Sequence, residues 1–256
     1  VDVGDVVSAI DAKFPFGGAG AWDRVGLQVG NTERKVSSVA VCHEVTPHVV
    51  EQARATGVDV LVTYHPLLFE PVTAFVAGPS PTGRALALAE SGISLIVVHT
   101  AFDVARPGTA DALLEVLGFE VSDTFGPVDE DGGADIGRIA DLPKPQSLGS
   151  LALSVGSATG WVVRYNMPSD RQISRVGVVP GSGDSFIEQA IGKVDCYITG
   201  DVSHHGANRA RDEGLSIIDA GHVPSELPGV QSLYSQVVEL VPTATLLDGD
   251  AHPWRV

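Results

Sequence analysis

The sequence predicts an α/β protein built around an internally duplicated unit. Runs rich in Val and Ile alternate with segments of helical period, as in largely parallel sheets whose faces are covered. A pattern also recurs along the chain. Val36-Ser37-Ser38-Val39-Ala40-Val41 is matched by Ile173-Ser174-Arg175-Val176-Gly177-Val178, an offset of 137, and Glu51-Gln52-Ala53 recurs at that offset as Glu188-Gln189-Ala190. After a one-residue deletion, Val58 to Thr63 matches Val194 to Thr199, and Gly92 to Ile96 matches Gly214 to Ile218. Three matches in one order favour a duplication over chance.

Each element has a local reason. Val3, Val6, Val7 and Ile10, with Asp2, Asp5 and Asp11 between them, form an amphipathic first helix ending near Phe14-Pro15. This stretch has neither the basic nor the continuous apolar region of a signal peptide. Val36 to Cys42 reads as a strand. Thr46 offers an N-cap with Pro47 at the first helical position, and the helix through Val49, Val50 and Ala53 ends near Gly57. Val58 to Thr63 is the next strand. A helix over Arg84 to Ser91 stops at Gly92, strand Ile93 to Val98 follows, and Asp111 to Leu117 is a short helix closed by Gly118. Val121 to Ser150 reads as a connection between lobes, with an acidic turn at Asp129-Glu130-Asp131 before Gly132-Gly133. Leu151 to Val155 and Trp161 to Val163 read as strands opening the second lobe. The lobes are set at residues 1–125 and 126–219, and 220–256 is a C-terminal segment returning to the first lobe.

Composition excludes several classes. Sixteen Lys and Arg against 32 Asp and Glu give a formal charge of −16, and no five-residue basic cluster occurs. Phosphate neutralisation needs a basic stripe, so nucleic acid is not the expected partner. No apolar run approaches the ~18 residues of a membrane span. Cys42 and Cys196 sit far apart in apolar stretches, which suits reduced buried thiols and a cytoplasmic home.

The chemistry-bearing residues cluster just past the apolar strands, where the ligand crevice of an open α/β sheet lies. Tyr64-His65-Pro66 follows one strand and His99 through Asp103 another. Gly200-Asp201 with His204-His205 follows a third, and His222 through Glu226 a fourth. Both halves therefore carry His-x-x-x-carboxylate, His99 with Asp103 and His222 with Glu226. Imidazole plus carboxylate suits Zn, Fe, Mn, Co or Ni, and two carboxylates can bridge a metal pair. His43-Glu44 ends the first strand, facing the site or forming the turn into the Thr46 helix. Asp201 is placed to orient a ligand histidine. His204 and His205 either line the site or face solvent at a helix start capped by Ser203. His48 and His252 read as surface residues.

At these residues the sequence resembles a known family. Asp23-Arg24-Val25-Gly26-Leu27-Gln28-Val29-Gly30, Tyr64 through Phe69, His99 through Asp103, Thr199-Gly200-Asp201 with His204-His205, and Gly221 through Glu226 are similar to the successive motifs of the Nif-three-like dinuclear metal centre proteins. These are often labelled GTP cyclohydrolase type-two homologues. The resemblance, over about residues 14 to 230, implies two interlinked α/β lobes, a site for two divalent metal ions in the cleft between them, and a ring-shaped homohexamer. By motif it implies His65, His99, Asp103, His222 and Glu226 as ligands, with 220–256 completing the site. Tyr64, His43, Asp201, His204 and His205 are possible additions.

The chain departs from the family pattern at Tyr64, where the family usually has His. Arg24 stands for a usual Asn and Glu44 for a usual Asp. The function implied is that of a metal-dependent hydrolase acting on a small, possibly nucleotide-like, substrate. The alternative is an oligomeric metal-binding scaffold or regulatory protein. With Tyr64 a poor ligand, one tight and one weak metal position are expected, His43 being the substitute.

Overall fold

The structure is a computed structural model that describes residues 1–130 and 132–249. Asp131 of the expected acidic turn and His252 lie outside the described residues. Two compact units are present: Val1–Ala105 with the described residues from Val230 onward, and Arg106–Gly229.

The first unit opens with α1 (Val3–Lys13), started by a capping box in which Asp2 and Asp5 each accept from the other's backbone N–H. Strands β1 (Gly26–Val29) and β2 (Val39–Cys42) follow. Helix α2 (Pro47–Thr56) is capped by Thr46, and Gly57 ends it at φ 69°. Then come β3 (Val60–Thr63), α3 (Pro81–Ser91), β4 (Ser94–Val97) and α4 (His99–Val104). Strands β2, β3 and β4 are parallel, with Val39, Val60 and Ser94 in register, and β1 closes the edge antiparallel to β4. Period-two alternation divides these strands between two faces. Val39, Val41, Val60, Val62 and Ile96 pack with α1, whereas Ala40, Cys42, Leu61 and Leu95 pack with Val49 and Leu88. Burial of both faces explains the unbroken apolar runs.

The second unit holds α5 (Thr109–Val116), β5 (Asp123–Asp129), β6 (Gly132–Ser147), α6 (Leu148–Thr159), β7 (Arg164–Tyr165) and β8 (Gln172–Ser182). It continues with α7 (Ile187–Ala190), β9 (Cys196–Gly200), α8 (His204–Asp212) and β10 (Ser216–Asp219). The sheet order is β5-β6-β8-β9-β10-β7. Its middle strands β8, β9 and β10 are parallel and β7 is an antiparallel edge.

Two readings of this stretch are corrected. Residues 121–150 contain the antiparallel pair β5–β6 and the start of α6. The boundary set at 125–126 thus falls inside β5, while the units divide at Ala105. Leu151 to Val155 lies within α6, where Ser147 accepts from Ser150 N–H at the start and Gly160 stops the helix at φ 67°. Trp161 to Val163 precedes a strand of only two residues.

Helix α9 (His222–Leu240) carries the chain back to the first unit, and β11 (Thr245–Leu246) lies parallel to β2 at the edge of the first sheet. Leu233 and Val237 of α9 join the core beneath β2 and β3. Among the described residues, no helix is long and apolar enough to cross a membrane. Cys42 and Cys196 are buried free thiols, and burial raises that of Cys42 to about 12.

The two parallel cores share local bonding. Asp59 accepts from the backbone N–H groups of Ser37 and Ser38, and Asp195 accepts from those of Ser174 and Arg175. Val98 N–H donates to Thr63 O, as Ala220 N–H does to Thr199 O.

Candidate metal centre

In the first unit the carboxyl ends of three parallel strands bring five side chains together. Register extends beyond β2 and β3 through the bond from His65 N–H to His43 O, 2.9 Å, setting the two rings with centroids 4.7 Å apart. Each offers a ring nitrogen within 4.8 Å of the other's. The His65 and His99 rings are 5.3 Å apart and those of Tyr64 and His99 5.5 Å. Tyr64, 3% exposed, donates its hydroxyl to Asp103 Oδ1 at 2.9 Å. His99 and Asp103 follow strand β4, as expected. They occupy the first and fifth positions of α4, a spacing that puts both on one helix face.

Asp23 holds this group in place. It pairs with His99 Nδ1 at 2.8 Å, accepts from Thr100 N–H at 3.0 Å, and also accepts from the Thr100 hydroxyl. Burial opposes its ionisation, but the bonds and charge from His99, with the Thr100 and Arg24 donors, hold the carboxyl below the usual range. With Nδ1 paired to Asp23, a metal at this site would be met by the other ring nitrogen of His99. His99 has φ 28°, a left-handed value that costs a residue with a Cβ about 1–3 kcal/mol. Sequence reasoning placed Asp23 only within a motif, because its partner lies 76 residues away.

The second unit carries a smaller group. His222 Nδ1 pairs with Asp201 at 2.6 Å, and its Nε2 lies 3.2 Å from Glu226 Oε1, one turn along α9. Hydrogen bonding from Glu226, assisted by Asp201 and opposed by burial, pushes His222 up to about 9. Asp201 has φ 53°, the other non-glycine residue with positive φ among the described residues. The turn carrying His222 is braced by Asp219, which accepts from Gly221 N–H and pairs with Arg164 at 2.6 Å. Gly181 sits at φ 73° beside Glu226, whose Oε1 a Cβ there would crowd. His204 and His205 are exposed on the first turn of α8, where Ser203 caps the helix and His204 Nε2 bonds Asn208.

The matched backbone bonds also fix the register between the two groups. His99 follows Val98 and Gly221 follows Ala220, and both take positive φ, 28° and 77°. His222 therefore falls one residue later than the counterpart of His99.

The donor sets suit a divalent metal: imidazoles oriented by carboxylates, His99 by Asp23 and His222 by Asp201, with Asp103 and Glu226 one helical turn along. His43, His65 and Glu226 are candidate metal-holding residues.

The family model described as Duf34/NIF3 (NGG1p interacting factor 3) matches residues 1–248. A Streptomyces coelicolor protein named GTP cyclohydrolase 1 type 2 homolog is 33% identical, over 98% of this chain and 87% of its own. Among solved structures, a Staphylococcus aureus hypothetical protein superposes with TM-score 0.89 at 23% identity, over 100% of this chain and 99% of that one. A Bacillus cereus protein related to NIF3 gives 0.86 at 22%, over 100% and 99%. These two likenesses concern the fold.

Proposed function

The chain belongs to the Duf34/NIF3 family, and from that premise we propose that it is a metal-dependent hydrolase. Two divalent ions are held by His65, His99, Asp103, His222 and Glu226, with His43 joining His65. The observation that carries this reading is the paired grip on imidazole: Asp23 on His99 Nδ1 and Asp201 on His222 Nδ1. Such carboxylate partners fix the tautomer and aim the remaining nitrogen at a metal. Bound metals supply Lewis acidity and activate water. Asp103 and Glu226 would supply the carboxylate ligands, with Asp23 and Asp201 orienting the histidines. The matched topology and the Asp59 and Asp195 bonds support an origin of the two parallel cores by duplication.

The substrate is a small molecule, and the name carried by the Streptomyces coelicolor relative makes a nucleotide the first class to assay. Because the formal charge is −16, a polyanionic substrate depends on the metals and on nearby cations such as Arg24 to offset repulsion. A homohexamer in the cytoplasm completes the proposal. Metal analysis of purified protein, followed by activity against nucleotides, phosphoesters and cyclic amides before and after chelation, tests it. Activity lost on chelation and restored by one metal is the expected result. Metal-free protein with undiminished activity would refute it.

The bond from Tyr64 to Asp103 favours a second reading, an oligomeric metal-binding scaffold, because it occupies one oxygen of a proposed carboxylate ligand. Tightly bound metal with no turnover across the panel would select that reading.

A further inference from the structure

Beside the first-unit histidines lies an aromatic surface that the metal reading leaves unused. Trp22 is 47% exposed and Phe69 41%, although both are large apolar side chains. Their ring centroids are 6.1 Å apart, and the Trp22 ring meets His99 edge-on at 6.2 Å. The indole lies over Gly20, where a Cβ would come within 2.7 Å of Nε1. The segment leading to Phe69 is clamped by Gln28, whose amide accepts from Leu67 and Leu68 N–H and donates to Leu68 O and Arg24 O. Arg24, exposed, donates to the carbonyls of Trp22 and Asp23, which keeps a guanidinium at the same turn.

An exposed indole lying over a glycine, edge-on to an oriented histidine, offers a π-surface at low entropic cost. Flat rings stack on such a surface whatever their hydrogen-bonding pattern, and the guanidinium suits an anionic group attached to the ring. We propose that Trp22, with Phe69 and Arg24, is the subsite for a planar heteroaromatic ring bearing an anionic group. This assignment rests on the metal-centre reading for its place in a reaction, and it names the substrate class of that site.

Calorimetric titration of the metal-loaded protein with inosine 5′-monophosphate, and with ribose 5-phosphate as the probe lacking a heteroaromatic ring, tests it. The ring-bearing probe is expected to bind at least about tenfold tighter, a difference that stacking of one base supplies. Trp22→Ala should erase that difference, Trp22→Phe should keep most of it, and all three proteins should hold equal metal. A ring preference that survives Trp22→Ala, or is absent from the unmodified protein, overturns the proposal. So does a Trp22→Ala variant whose only change is its oligomeric mass, which would make the patch a subunit contact. Repetition on protein purified without bound metal separates the two readings: a persisting, Trp22-dependent ring preference keeps the platform while the metal centre fails.

Discussion

The Tyr64 hydroxyl donates to Asp103 Oδ1 at 2.9 Å, joining the end of β3 to the first helical turn after β4. A phenol with an ordinary pKa near ~10 stays protonated at neutral pH and is a poor ligand, so it acts here as a donor. That bond competes with a metal for the carboxylate oxygen. Tyr64→Phe is expected to cost about 1 kcal/mol of stability for the lost bond while tightening the weaker metal position. Tyr64→His should raise the stoichiometry toward two metals per chain. Two equally tight metals in the unmodified protein, read by titration, would show that Tyr64 weakens nothing.

Asp23 bears on His99 without being assigned as a ligand. Asp23→Asn keeps the shape but removes the charge that His99 Nδ1 and the two Thr100 donors meet. Loss of such a partner typically weakens metal affinity 10- to 100-fold. Competition with a chromophoric chelator should show a drop in that range with little change in helix content. An unchanged affinity would make Asp23 a structural cap for α4 alone.

Gly181 gives a test that alters no proposed ligand. Gly181→Ala places a methyl against Glu226 Oε1 at a backbone φ of 73°. The left-handed conformation alone costs about 1–2 kcal/mol, and Glu226 must move as well. A lowered melting temperature together with reduced metal content is expected. Full metal content would mean that Glu226 can be displaced without consequence.

How much of this was legible in the sequence follows from how local each signal is. Thr46-Pro47 and Gly57 bracket α2 because caps act within one turn, and Ser203 marks α8 in the same way. The strand-end rule found the histidines, since it depends only on where apolar runs stop. Leu151 to Val155 misled because a short apolar run is the same in a buried strand and a buried helix. The informative residues were Ser147 and Gly160, outside the run. The bond of His99 to Asp23 and that of Tyr64 to Asp103 join residues distant in sequence, and chain order does not reveal side chains that meet only in the folded unit. Gly221 takes the left-handed position after its strand that His99 takes after β4, which offsets the two histidines by one residue.

The last prediction concerns pH. In metal-free protein His222 is pushed up to about 9, first by its hydrogen bond to Glu226, so it is protonated at neutral pH. A metal must displace that proton, so affinity should rise with pH toward 9, and binding near pH 7 should release protons. The stability consequence has the opposite sign. The folded-state value lies above the ordinary 6.5, so the stabilisation from the charged pair is fully present below 6.5 and is lost as pH rises through about 9. Chelated protein should therefore lose melting temperature between pH 6.5 and 9 relative to Glu226→Gln, in which the largest cause of the shift is gone. Both effects can be followed on one sample set, by calorimetry in buffers of different ionisation enthalpy and by melting curves at several pH values. Parallel melting profiles for the two proteins would mean that the contact of His222 with Glu226 does not govern protonation in solution.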